Sequence, residues 1–308
     1  MEANKVMKKL ILSILITIGL FNHSFAQYNP IPKIAFGTML DAEAQIKASQ
    51  EMAKSLVDST AKSWRQKGDQ HRSYFFKEAN EMMPYRVCVP QNWDGKKKLP
   101  LVMFLHGGWN DESSYLDAND KQLVKLADKY GYLLVSPLGC HAAYGNNLLL
   151  PAVFGEQKET AKIIADGRNK IHSKEAQILS EKDVINVLEL VLAEYPVDRD
   201  ALFLIGHSMG AGGTWYLGAK YAGYWKGLAP MSGPFVLEHG YPWDDIRNIP
   251  VFISEGSKAA GRSSRLIHQL MAERDFPVEY MEVNEGHSEM VPIVLPHVFL
   301  FMERIRQR

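Results

Sequence analysis

An α/β architecture, with a mainly parallel central sheet and helices on both faces, is predicted by three features of the 308-residue chain. Short runs of β-type residues recur from Tyr74 onward, and helical patterns separate most of them. One run, residues 202–205, leads through a glycine-rich turn into a further helical pattern. Composition agrees: 46% apolar and 23% charged residues are ordinary for a globular chain, which excludes disordered, collagen-like and many-span membrane classes. Thirty-five basic side chains balance 35 acidic ones, so there is no basic field to grip a nucleic-acid backbone, and no nucleic-acid partner is expected. Cys88 and Cys140 are too few for a disulfide framework and lack the spacing of a zinc site; neither is given a role.

Along the chain, Lys5, Lys8 and Lys9 precede an apolar run over residues 10–21, and Ser24 and Ala26 supply the small residues a signal peptidase reads. Residues 1–26 are therefore expected to be a signal peptide. As a helix the run reaches only about 18 Å, short of the ~30 Å of hydrocarbon a span must cross, so no stable membrane span is expected after cleavage. Loss of three lysines and one glutamate leaves 32 basic and 34 acidic residues, a nearly neutral protein expected to be secreted or periplasmic. Residues 41–67 read as a helix, with Ile46, Ala53, Leu56, Val57 and Trp64 near one face and Gly68 to end it. Residues 27–73 are accordingly an N-terminal helical extension.

Strands are expected at residues 74–76, 85–89, 99–105, 132–136, 202–205, 251–253 and 278–283. The wholly apolar stretch 99–105 reads as a strand buried on both faces. Ser180 and Asp183 form a capping-box pattern before Val184, Val187, Leu188, Val191 and Leu192, the buried stripe of a helix that Pro196 stops. The long connection over residues 139–179 is expected to form a lid or pocket wall. No repeat or second composition regime divides the chain, so residues 74–308 are expected to form one catalytic-size domain.

The most informative segment is LFLIGHSMGAGG, residues 202–213, which holds Gly206, Ser208 and Gly210 in a GxSxG pattern. A serine on a sharp strand-to-helix turn exposes its hydroxyl, and glycines two positions either side let the chain close without side-chain clashes. The short pattern alone is weak, and a helix-capping serine on a glycine-rich turn is the bland alternative. The apolar strand before it and the helical pattern from Thr214 after it favour a nucleophile elbow. A second apolar strand ends in Leu105, His106, Gly107, Gly108 and Trp109, where small residues let a backbone amide approach a reacting carbonyl. Gly108 and Met209 are the expected oxyanion-hole donors. A serine needs a histidine to take its proton. Of the four histidines after Ser208, His268 and His297 lie in helical patterns and His239 in an unsupported loop, whereas His287 directly follows the strand at 278–283 and is the expected base.

With LHGGW, GHSMGAGG and EGHSEM in that order, residues 74–308 resemble the α/β-hydrolase superfamily, in particular the secreted esterases of the polyhydroxybutyrate-depolymerase-like and feruloyl-esterase-like branch, with kinship to prolyl-oligopeptidase-type hydrolases. The resemblance implies an α/β-hydrolase fold and a Ser, acid, His order. It carries Ser208, His287 and the amides of Gly108 and Met209 onto those roles. It fails at the acid, because Ala259 stands where the family pattern has aspartate, in a loop that is also shorter. Glu255 is the first substitute, Asp244 or Asp245 and Glu285 are others, and absence of any acid is the remaining option.

Trp109, Tyr144 and Trp215 are expected to bind substrate, and Tyr115, His141 and Tyr216 fall in the same region; each is equally readable as packing. His106, His141 and His172 are too scattered for a metal site, and no metal or organic cofactor is expected. The expected function is a secreted serine hydrolase of carboxylic esters acting through an acyl-enzyme, on a small-molecule or glycan ester such as an acyl or feruloyl group on polysaccharide. A serine peptidase, or a degenerate hydrolase that binds without turnover, are the alternatives.

Overall fold

The computed structural model describes residues 66–108, 110–139, 144–145, 174–233, 240–259 and 263–307. The expected signal peptide, nearly all of the expected N-terminal helix, Trp109, Cys140, His141, His172, His239 and most of the 139–179 connection lie outside them.

Eight strands form one sheet: β1 (Gly68–Phe76), β2 (Glu81–Val89), β3 (Leu99–Leu105), β4 (Leu133–Pro137), β5 (Val197–His207), β6 (Gly227–Met231), β7 (Val251–Gly256) and β8 (Val278–Val283). Their spatial order is β1-β2-β4-β3-β5-β6-β7-β8. β1 and β2 pair antiparallel at one edge, and β2 meets β4 antiparallel. From β4 to β8 every pairing is parallel. Helices α1 (Ser114–Tyr130, kinked at Ala118–Lys121), α2 (Lys174–Glu194), α3 (Met209–Lys220), α4 (Ser263–Glu273) and α5 (Val291–Arg306) complete the described fold.

A central strand here has core on both sides, which is why β3 carries no polar residue. Leu99, Leu101, Met103 and Leu105 enter one apolar cluster, with Val184, Val187, Leu188 and Val191 of α2, Trp215 and Leu217 of α3, and Ile267 and Met271 of α4. Val102 and Phe104 point to the other face, against Leu116 and Leu123 of α1 and Val294, Val298 and Phe299 of α5. The mainly parallel sheet with helices on both faces is as expected.

Three local readings need correction. β1 begins at Gly68, six residues before Tyr74, so residues 68–73 belong to the sheet and not to an extension. Their polar sequence hid the strand. Its charged groups are paired: Arg72 bonds Glu194 and Tyr195, while Asp69 accepts from the fully buried Arg86. β6 was not anticipated, because Gly227–Met231 is short and contains Pro230. Ser180 does not cap α2, which begins a turn and a half earlier at Lys174. The Ser180 hydroxyl instead donates to the Gly139 carbonyl and accepts the Tyr144 N–H at 2.8 Å, and Asp183 accepts from the Tyr74 hydroxyl at 2.7 Å.

Ser180 is thus a buried tether between α2 and the chain after β4. Replacing it with alanine strands two buried backbone groups, so Ser180→Ala is expected to lower the unfolding free energy by about 2–4 kcal/mol, against about 1 kcal/mol for losing a cap. Urea denaturation followed by tryptophan fluorescence measures the difference.

Candidate active site

Parallel strands deliver the chain to the same side of the sheet each time, so the loops after β3, β5, β6, β7 and β8 gather at their carboxyl ends. Ser208 follows β5 directly. It has φ 57° and ψ −117°, a conformation costly for a residue with a side chain. Its N–H donates to the Met231 carbonyl at 2.9 Å, and its own carbonyl receives the Ala211 N–H at 2.9 Å, which starts α3. The flanking glycines are required by contact. A Cβ on Gly206 would lie 2.3 Å from the Gly210 oxygen, and a Cβ on Gly210 would lie 2.0 Å from the Leu105 oxygen. No backbone atom can yield that far, so the turn closes only without side chains there.

Those contacts also bring the loop after β3 against the turn. Leu105 and Gly206 are register partners, so Gly108 and Met209 each stand three residues beyond the ends of paired positions. Neither N–H is given a hydrogen bond to another described residue, and a Cβ on Gly108 would meet nothing within 4 Å. The side-chain position of Gly108 therefore borders open space among the described residues.

His287 lies four residues beyond β8, and two contacts fix it. Its backbone carbonyl accepts a hydrogen bond from His207 Nε2 at 2.8 Å, and the two imidazole rings lie 4.6 Å apart at their centres. His207 is the residue before Ser208, so the loop carrying His287 lies against the residue that precedes the serine. The His287 carbonyl can only accept, so Nε2 of the neutral His207 ring carries the proton, and Nδ1 accepts from the Tyr115 hydroxyl 2.6 Å away.

Behind His287 stand Ser232 and Glu255. Ser232 Oγ is 2.6 Å from His287 Nδ1 and donates to Glu255 Oε1 at 2.8 Å; Ser264 Oγ donates to Glu255 Oε2 at 2.5 Å. Glu255 is 5% exposed. Burial raises its carboxyl above the ordinary range, against the bonds from Ser264 and Ser232. The same cause works in the opposite direction on the rings, where burial lowers His287 to about 4 and holds His207 well below 6.5.

The other expectations separate cleanly. Asp244 and Asp245 are exposed in the short turn Trp243–Ile246. Glu285 turns to Lys258, 3.8 Å away. His268 stacks on Tyr280, and His297 is exposed on α5. Ala259 donates its N–H to Gly256 at 2.9 Å within a tight turn. Tyr144 and Trp215 are both 0% exposed and are corrected as substrate contacts: they pack the core. Tyr144 fills the space beside Gly139 and Gly213, and Trp215 meets Tyr241 and Trp243 edge-on. Tyr216 is likewise committed, donating to Glu181 at 2.7 Å. His106 is spent between the carbonyls of Gly107 and Leu138. Among the described residues no group of three or more His, Cys, Asp or Glu side chains could hold a metal ion. No helix among them is long and apolar enough to cross a membrane.

Sequence reasoning missed Ser232 and His207. Ser232 follows the unrecognised β6, and the only local signal is the turn-forming run Ser232, Gly233, Pro234. His207 was legible only as the variable position inside GxSxG.

The lowered histidines set a stability window. Unfolded imidazoles bind protons from about pH 6.5 downward and the folded ones only at lower pH, so acidification draws the protein toward the unfolded state. Glu255, with its raised carboxyl, opposes this in part. Wild type is expected to lose more stability between pH 6.5 and 4 than His287→Gln does, as measured by urea unfolding at each pH.

Residues 77–276 match a family model described as putative esterase. No curated protein matches the chain. Among solved structures, the fluorophosphonate-binding serine hydrolase F (FphF) of Staphylococcus aureus is 18% identical, with 76% of this chain and 98% of that one covered at a TM-score of 0.58. A ferulic acid esterase of Anaeromyces mucronatus, AmCE1/Fae1A, solved with ferulic acid, is 18% identical over 76% of this chain and 89% of that one, at a TM-score of 0.54. An S-formylglutathione hydrolase of Agrobacterium tumefaciens is 14% identical over 77% and 95%, at 0.53. At such identities the likeness carries the fold, and the family match carries the chemistry. With an eight-stranded, mainly parallel sheet and the family model spanning residues 77–276, the chain belongs to the putative esterase family and is a carboxylic ester hydrolase of the α/β-hydrolase fold.

Proposed function

We propose that Ser208 is the nucleophile and His287 the general base of an esterase that works through an acyl-enzyme. The observation that carries this reading is the His287 ring seated 4.6 Å from that of His207, next to a serine on a strained turn. Ser208 Oγ attacks the ester carbonyl as its proton passes to His287 Nε2. The carbonyl oxygen becomes an oxyanion facing the N–H groups of Met209 and Gly108. Loss of one such donor typically costs about 3–4 kcal/mol of transition-state stabilisation. The tetrahedral intermediate then collapses, the C–O bond to the alcohol breaks, and the alcohol leaves with the proton from Nε2. Water, deprotonated by the same nitrogen, repeats the attack and releases the acid.

The substrate we assign is an acyl or feruloyl ester on polysaccharide, met outside the cytoplasm. The lysine, apolar and small-residue pattern of residues 1–26 supports export, and the ferulic acid in a structural neighbour supports the acyl class. Tyr144 and Trp215 do not contribute.

A fluorophosphonate probe is expected to label wild type and not Ser208→Ala, and Ser208→Ala is expected to lose at least about 10³-fold in p-nitrophenyl acetate turnover. Retained turnover in Ser208→Ala would overturn the assignment. Feruloyl and acetyl esters assayed beside peptide amides decide the substrate class, with cleavage of esters alone expected. The acid limb of kcat/KM is expected below pH 6.5, because the buried His287 stays neutral to lower pH than a free imidazole.

A further inference from the structure

We infer that Ser232 couples Glu255 to His287, so that the carboxylate acts on the base through a serine hydroxyl and Ser232 is a positioning residue of the reaction. This rests on Ser208 and His287 acting as proposed above.

The geometry is a chain of short hydrogen bonds: Nδ1 to Ser232 Oγ at 2.6 Å, Oγ to Glu255 Oε1 at 2.8 Å, and Oε2 to Ser264 Oγ at 2.5 Å. A hydroxyl has one proton and two lone pairs. With that proton given to Glu255, Ser232 accepts from Nδ1–H. The imidazole is then held as the tautomer whose Nε2 carries the lone pair a base needs. Backbone structure fixes Ser232 and Glu255. The Ser232 N–H donates to the Ser254 carbonyl at 2.8 Å, and its φ of 53° aims the residue out of the β6 line. Glu255 sits within β7, paired with β6 on one side and β8 on the other. Glutamate also fits this place: its carboxylate is bonded by two serines, and a hydroxyl spans the remaining gap to the ring.

During attack the Ser208 proton moves to Nε2 and the ring becomes a cation. The Nδ1 proton and the Ser232 proton stay on their own atoms while both bonds shorten toward the negative Glu255. No second proton transfer is needed. The carboxylate stabilises the cation from one hydroxyl away, in a site where little water competes.

The test uses the full-length enzyme and p-nitrophenyl acetate. Ser232→Gly, which suits the positive φ, removes the hydroxyl; Glu255→Gln removes the charge. Each is expected to lower kcat about 10²–10³-fold with KM within about twofold, less than the roughly 10⁴-fold lost when a directly bonded acid is neutralised. The double variant is expected to be no slower than the slower single, because the two act as one unit. Ser232→Asp combined with Glu255→Gln places a carboxylate directly on Nδ1 and is expected to recover at least tenfold over Ser232→Gly. A folded Ser232→Gly with wild-type kcat, or losses that multiply in the double variant, would overturn the inference. Should Ser232→Gly fail to unfold cooperatively, proton NMR decides: a low-field Nδ1 resonance of His287 that moves upfield in Glu255→Gln supports the coupling, and an unmoved one refutes it. Failure here differs from failure of the nucleophile assignment, which would show as turnover persisting in Ser208→Ala.

Discussion

The contact between the Ser208 turn and the end of β3 governs the rest of the site. Gly210 lies so close to the Leu105 carbonyl that a single methyl group would collide with it at 2.0 Å, and Gly206 faces Gly210 almost as tightly. That closeness has two results. It allows Ser208 to hold φ 57° at the mouth of the sheet, and it brings the Gly108 loop alongside the first turn of α3. The cost of the strained serine, on the order of 1–3 kcal/mol, is offset by the packed strands on either side, whose residues are almost all buried. The candidate catalytic groups thus stand at the exits of strands buried in the core.

Electrostatics at the site follows from the same burial. His207, His287 and Glu255 are each pushed toward neutrality by loss of water, the rings downward and the carboxyl upward. A base that stays unprotonated is ready to receive a proton. On the proposed mechanism the imidazolium that His287 becomes needs a counter-charge, and the polar groups behind it, Ser232, Glu255 and Ser264, form a line of hydrogen bonds to a carboxyl group. On the other side His207 and Tyr115 brace the His287 loop through its backbone. His287 is therefore held twice, by its ring and by its main chain, from elements far apart in sequence.

Where the resemblance implies an aspartate, the chain has none. Ala259 closes a tight turn after β7 and brings no carboxylate. Glu255, four residues earlier and within β7, carries a buried carboxyl that Ser232, just past the end of β6, joins to the His287 ring by hydrogen bonds. Asp244, Asp245 and Glu285, all acidic and all near in sequence, are directed to solvent or to Lys258. Proximity along the chain was a poor guide, and strand order was a good one.

Local chemistry sufficed wherever the signal was local. The apolar run of β3, the stripe of α2 and the glycine spacing around Ser208 each encode a backbone geometry within a dozen residues, and each was readable from order alone. The position of His287 shortly after a strand is readable in the same way. What required the folded molecule was every relation between strands. Ser232 lies 55 residues from His287 and 23 from Glu255, yet a hydroxyl proton and a lone pair join the three. Burial likewise separated Tyr144 and Trp215 from the substrate-binding role their chemistry suggested, because an aromatic ring in sequence says what it can contact and only packing says whether anything can reach it. Periodicity specifies which face of an element turns inward; the sheet's register decides which residues from distant elements then meet, since that depends on the pairing of whole strands and not on any one of them.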